Sequence, residues 1–127
     1  MTLARINPLQ AWPDAGPALE KALPHTCHSH LDLRRACLRG EAYLLATDRM
    51  FLVVRPEKTV DGFELLVWAA AAKDGATDSV VDVLPDLEAM ARGMGANGVV
   101  FVTDKKGMER IVGPAWHRRC FVMERRF

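Results

Sequence analysis

The sequence predicts an α+β fold: a mixed sheet, built as an antiparallel meander followed by a parallel β–α–β step, with helices on both of its faces. Three apolar runs lie close together at residues 42–47, 50–55 and 63–72, separated by short breaks. After them the apolar residues recur at steps of three and four, which is typical of a helix, and another apolar run follows. The length suits one hydrophobic core, so we expect a single domain over residues 1–127.

Two helices are predicted before the sheet. Pro17, followed by "ALEKAL", predicts a helix that begins there and stops before Pro24. Ser29 and Asp32 have the spacing of a capping box, which predicts the start of a second helix. Gly40 comes where this helix must end, in a position that favours a left-handed backbone.

The three apolar runs predict antiparallel strands with tight turns. The dipeptide Asp48-Arg49 separates the first two runs, while Pro56 and Asp61-Gly62 break the chain before the third. The third run, "FELLVWAAAA", is apolar almost throughout, which predicts a central strand covered on both faces.

The second half of the chain changes from strand to helix periodicity. An apolar helix face follows Asp78, and Gly95 ends that helix. Pro85 either kinks the helix or belongs to its first turn, and we favour the kink. "GVVFVTD" is then a buried strand reached through a helix, so it should pair in parallel. A short helix over residues 107–112 and a strand over 117–126 complete the prediction.

Composition narrows the classes of function. The chain has 17 Lys and Arg residues against 16 Asp and Glu residues, so its net charge does not indicate a nucleic acid or an anionic membrane as a binding partner. Basic residues crowd the last fifth of the chain; a solvated face explains them better than polyanion contact, and we rank nucleic-acid binding last. No stretch reaches the roughly 20 apolar residues of a membrane span, and the first residues lack a secretory signal, so we expect a cytoplasmic protein. Three widely spaced cysteines argue against a disulfide framework.

Three stretches carry a family resemblance. "HLDLRRACLRGEAYLL" is a helix running into a strand, "LPDLEAMARGMGANGVVF" is a helix, glycine turn and buried strand, and "KKGMERIVGPAW" is a helix leading to an aromatic residue. Together with the order of elements, they resemble the GNAT superfamily of N-acetyltransferases, in particular the short GNAT-like proteins of phages and prophages. Met108 stands where the family usually has an aromatic residue, and Ala115-Trp116 stands for its Gly-aromatic pair.

The resemblance implies that acetyl-CoA binds along the fourth strand and the loop after it. In a GNAT enzyme the pantetheine arm lies against the backbone of that strand where it diverges from the fifth. The pyrophosphate rests on backbone N–H groups of an Arg/Gln-x-x-Gly-x-Gly/Ala loop before the next helix. In this chain the matching stretch is "AAAAKDGATDS", at residues 69–79, and it lacks that motif.

This stretch has two interpretations. As a divergent acetyl-CoA loop, it would use small residues for close approach, one positive charge and two hydroxyl donors. The candidate cofactor-binding residues are Ala70, Ala71, Ala72, Lys73, Gly75, Ala76, Thr77 and Ser79. Asp74 and Asp78 oppose phosphate binding, and the alternative is that Asp74-Gly75 forms a turn and Asp78 an N-cap.

The candidate catalytic residues are Glu64, on the third strand of the meander, and His117, before the last strand. A carboxylate or an imidazole can take the proton of an attacking amine, although each residue is better explained as an ordinary surface or rim group. GNAT enzymes often use a tyrosine after the fifth strand as general acid. The only tyrosine here, Tyr43, starts an early strand, so that role is unassigned.

The stretch "HTCHSH", at residues 25–30, holds three of the four histidines. Structural zinc usually needs paired ligands from two pieces of chain, and only one piece is present, so we expect no metal. A loop and helix N-cap explain the stretch best. The resemblance places the connection between the first two helices beside the acceptor cleft, which makes His25, His28 and His30 candidates for the substrate side.

The sequence therefore predicts a divergent acetyl-CoA-dependent N-acyltransferase that acts on an amine. Its rival is a catalytically inactive module of the same fold that binds protein or serves as a phage accessory protein. The edge of the last strand would also support a homodimer.

Overall fold

The computed structural model describes residues 3–23, 29–73 and 80–101. Its strands form one five-stranded sheet in the order β1-β2-β3-β4-β5. They are β1 (Ala4–Arg5), β2 (Tyr43–Ala46), β3 (Met50–Thr59), β4 (Gly62–Ala72) and β5 (Val99–Phe101). Strands β1 to β4 pair with one another in antiparallel orientation, and β5 pairs in parallel with β4, which confirms the predicted mixed sheet.

Helices cover both faces of the sheet, as predicted. Helices α1 (Pro8–Ala22) and α2 (His30–Leu38) share one core with the sheet, and α3 (Leu84–Met94) shares the other. The successive residues Val53 and Val54 of β3 point into different cores, because side chains alternate along a strand. We call the side of the sheet that packs on α1 and α2 the α1/α2 face, and the opposite side the α3 face. None of the helices in the described ranges is long and apolar enough to cross a membrane.

The predicted start of the first helix was wrong. The helix begins at Pro8, not Pro17, because the Asn7 side chain accepts a hydrogen bond from the backbone N–H of Leu9 and caps the first turn. Pro13 and Pro17 lie inside the helix on its exposed side, while the opposite side is buried in the core. Burial of that side offsets the two missing backbone donors.

The interpretations of Pro56 and Pro85 were also wrong. Strand β3 continues through Pro56, because β2 ends opposite Val54 and a proline beyond that point removes no hydrogen bond to β2. Pro85 does not kink a helix: α3 begins at Leu84, after a 3₁₀ turn (Val80–Val83), so Pro85 lies in its first turn. A helix needs no N–H bond from that position.

Several local signals were read correctly. The backbone N–H of Ser29 donates to the Asp32 carboxylate at 2.9 Å, which is half of the predicted capping box. Gly40 follows α2 with φ of +75°, and Gly95 ends α3 with φ of +82°, both in the left-handed region that favours glycine. The predicted helix at 107–112 and strand at 117–126 lie outside the described residues.

Substitution of Gly16 tests how tightly α1 packs on α2. A Cβ atom added at Gly16 would lie 2.9 Å from Trp12 Nε1 and 3.0 Å from His30 Nδ1, so Gly16→Ala should lower the free energy of unfolding by about 1–3 kcal/mol. Denaturant unfolding measures the difference. The control is Gly93→Ala in α3, where an added Cβ meets nothing within 4 Å and helix propensity should stabilise by up to about 1 kcal/mol. Equal effects of the two substitutions would contradict this account.

Candidate functional site

A β-bulge in the middle of β4 organises the site. Val53 pairs with Ala69 and Val54 pairs with Val67, so β4 has one residue more than β3 at this point, Trp68. Before the bulge, the odd-numbered residues of β4, such as Val67, point to the α3 face. After it, the odd-numbered residues, such as Ala69, point to the α1/α2 face.

The described pairing of β4 with β5 leads up to this bulge. Residues Leu65 to Val67 pair with Val99 to Phe101, and Trp68 is the next residue of β4. Beyond it come four alanines, residues 69–72. Ala69 and Ala71 pack in the α1/α2 core, and Ala70 packs against the α3 core. Their side chains are the shortest that a strand can carry without glycine.

A shallow depression of about 430 Å³ lies on the β3–β4 hairpin and β5. Glu57 and Glu64, which are direct cross-strand partners, line it together with Leu66 and Val100. Because side chains alternate along β4, Glu64 and Leu66 point away from the α3 core that holds Leu65. The depression therefore opens on the α1/α2 face, on the same side as Trp68, which packs against the α1/α2 core.

Arg55 connects the bulge with the depression. Its guanidinium carbon lies 4.4 Å from the centroid of the Trp68 ring, and its Nε donates a hydrogen bond to Glu57 Oε1 at 2.7 Å. The positive charge of Arg55 thus compensates the carboxylate of Glu57. Glu64 contributes the second carboxylate of the depression.

The candidate cofactor residues divide into described and undescribed positions. Lys73 ends the alanine stretch; its backbone N–H donates to the Arg49 carbonyl at 2.8 Å, and its Nζ lies 4.8 Å from the Phe51 ring centroid. Phe51 belongs to the α1/α2 core, so the Lys73 ammonium lies on that face. The other loop candidates lie outside the described residues: Gly75, Ala76, Thr77 and Ser79.

Only one of the three substrate-side histidines is described. Trp12 Nε1 donates a hydrogen bond to His30 Nδ1 at 3.2 Å, and the backbone N–H of His30 donates to Glu20 Oε2 at 2.7 Å. His30 therefore ties the start of α2 to α1. His25 and His28 lie outside the described residues, and in the described ranges no three His, Cys, Asp or Glu side chains are grouped as metal ligands would be.

Of the two candidate catalytic residues, Glu64 lies in the depression and His117 lies outside the described residues. Tyr43 is covered by Arg5, whose guanidinium carbon lies 4.4 Å from its ring centroid, and it packs against the α3 core. Sequence reasoning missed Trp68, Arg55 and Glu57. A turn at Asp61-Gly62 indicates that Glu57 pairs with Glu64. This pairing was not recognised, because the second strand was predicted to end before Pro56.

Solved structures were compared with the whole chain. A probable acetyltransferase has a TM-score of 0.68 at 14% identity and covers 98% of this chain and 99% of its own. An aminoglycoside 6'-N-acetyltransferase from Acinetobacter haemolyticus has a TM-score of 0.67 at 13% identity, with coverage of 100% and 99%. A ribosomal-protein-alanine N-acetyltransferase from Brucella melitensis has a TM-score of 0.65 at 14% identity, with coverage of 96% of each chain.

This chain has the GNAT fold. Neither a protein-family model nor a curated protein sequence matches it, so the likeness is one of structure at low sequence identity. In the GNAT fold the bulge at Trp68 lies on the fourth strand of the sheet, next to the described end of its pairing with the fifth. That is the region where the sequence resemblance predicted the pantetheine arm.

The reactivity of Cys37, a thiol outside this region, tests how well it is buried in α2. Burial in α2 raises the pKa of the Cys37 thiol from 9.0 to about 11, partly opposed by the nearby charge of Arg5. In a Cys27→Ser/Cys120→Ser protein, alkylation of native Cys37 by iodoacetamide near pH 8 should be at least about 100-fold slower than in denaturant, because two pKa units lower the thiolate fraction by that factor. Native and denatured rates within a few-fold of each other would contradict the burial of this thiol.

Proposed function

We propose that the chain is an acetyl-CoA-dependent N-acyltransferase that acts on an amine. The observation that carries the proposal is the bulge at Trp68, followed by four alanines, on the fourth strand of a GNAT fold. The names of the compared structures, which include two N-acetyltransferases, support the same class of reaction. The sequence of residues 74–79, which lacks the usual glycine motif, and the resemblance to phage and prophage proteins support a divergent member.

The described residues fit an acyl-CoA co-substrate. The backbone of residues 69–72 would hold the pantetheine arm, because alanine is the smallest side chain after glycine and adds least bulk beside it. Lys73 at the end of this stretch, and Gly75, Ala76, Thr77 and Ser79 after it, would bind the phosphates. When bound, the thioester supplies an acyl carbon that is open to attack.

The depression would receive the acceptor amine. The amine nitrogen forms a bond to the acyl carbon, the carbon–sulfur bond breaks, and the electron pair leaves with the CoA thiolate. Glu64 would take the proton that the nitrogen loses, since its carboxylate lies in the depression. His117 remains a second candidate for this base. A cytoplasmic location and a homodimer belong to the same proposal.

Titration with CoA and acetyl-CoA tests the cofactor step. Binding to the native state should raise the melting temperature, with a stabilisation of about 2.7 kcal/mol at a ligand concentration of 100 times Kd. It should also shift the backbone amide resonances of residues 68–73 first. No response to millimolar CoA would overturn the proposal and favour the inactive protein-binding module.

Two matched substitutions test the catalytic step. Glu64→Gln should lower the release of CoA thiol from acetyl-CoA by about 100-fold or more with a panel of primary amines and peptides, because a general base contributes about that much. Glu57→Gln changes the same depression by the same chemistry and should lower the rate far less. Acetyl-CoA binding should stay unchanged in both proteins. Equal losses in the two variants, or no loss in Glu64→Gln, would remove Glu64 from the role of base.

A further inference from the structure

The hydrogen bond between Trp12 and His30 selects one tautomer of the neutral imidazole. The two ring centroids are 6.5 Å apart, the ring planes are inclined by 24°, and the indole Nε1 lies 3.2 Å from His30 Nδ1, so the bond joins the edges of the rings. An indole N–H can only donate. His30 Nδ1 must therefore be an acceptor, and the neutral ring carries its proton on Nε2.

The surroundings hold this pair in place. Trp12 is 6% exposed, and Gly16 of the same helix lies against both rings. The carboxylate of Glu20 binds the backbone N–H of His30, so α1 contacts both the ring and the backbone of His30. The contact is thus a junction between the two helices.

The charged groups at the junction come from both helices. Glu20 belongs to α1, Asp32 lies in the first turn of α2 and binds Ser29, and Arg34 is one turn along α2. The described sheet residues of the core that Trp12 joins are apolar, and Lys73 lies over Phe51 at its edge.

We propose that the Trp12–His30 pair is a protonation-sensitive latch between α1 and α2. With neutral His30 the latch is closed. When the ring takes a proton from solvent, both of its nitrogens become donors, and the indole N–H then faces an N–H group, so the hydrogen bond is lost.

Nuclear magnetic resonance of the full chain, labelled with ¹⁵N at the indole nitrogens and ¹³C at the imidazoles, tests the latch without any ligand or activity. As the pH is lowered from about 8 to about 5, which spans the ordinary titration range of imidazole, the Trp12 indole proton should move upfield. Its midpoint should equal that of the His30 ring. Trp12→Phe assigns the indole signal.

The matched control is His30→Asn. Its amide oxygen reaches the position of Nδ1, accepts the same hydrogen bond and does not titrate, so the Trp12 signal should stay at its bonded position over the whole range. Two results would overturn the latch: a Trp12 signal that stays constant while wild-type His30 titrates, or one that moves equally in His30→Asn. The first result is obtained with the wild-type chain alone, so the test does not depend on the folding of a variant.

Discussion

The bulge at Trp68 is the constraint on which both faces of the sheet depend. A regular strand sends odd-numbered and even-numbered side chains to fixed faces along its whole length. The single extra residue at Trp68 reverses that assignment halfway along β4, so Leu65 and Val67 serve the α3 core while Ala69 and Ala71 serve the other. Strand β4 therefore contributes side chains to both cores. A bulge also bends its strand and increases the local twist.

The size of the side chains follows from the same reversal. Before the bulge β4 carries large residues, which fill the space between the sheet and α3. After it, the alanines face Trp12 and Leu19 of α1 across a core already filled by large helical side chains. Small residues on the strand thus let α1 pack closely against the sheet.

More of the fold than of the candidate site could be predicted from the sequence. Gly40, Gly95 and the Ser29–Asp32 pair were read correctly because their effects are local, within one helix turn. The prolines were misread because their cost depends on neighbours: Pro56 is tolerated where β2 has ended. That tolerance is a property of the assembled sheet, and no local pattern contains it.

The bulge itself has no local signal either. "LLVWAAAA" reads as a continuous buried strand, and only the register of β3 against β4 shows that Trp68 is the additional residue. The contact of Arg55 with Trp68 depends on that register, as does the pairing of Glu57 with Glu64. Sequence reasoning found Glu64 by its position on a strand, and it could not find the groups that define the surroundings of Glu64.

Those surroundings explain why two carboxylates can face each other across the hairpin. Like charges directly opposite on adjacent strands are destabilising. Arg55 relieves this repulsion by binding Glu57, and its guanidinium is held in turn over the Trp68 ring, a contact that contributes about 0.5–1 kcal/mol at an exposed site. The residue that creates the bulge therefore also holds the cation that binds Glu57. Within the proposed reaction, one side chain, Arg55, thus joins the bulge to the depression that would receive the acceptor.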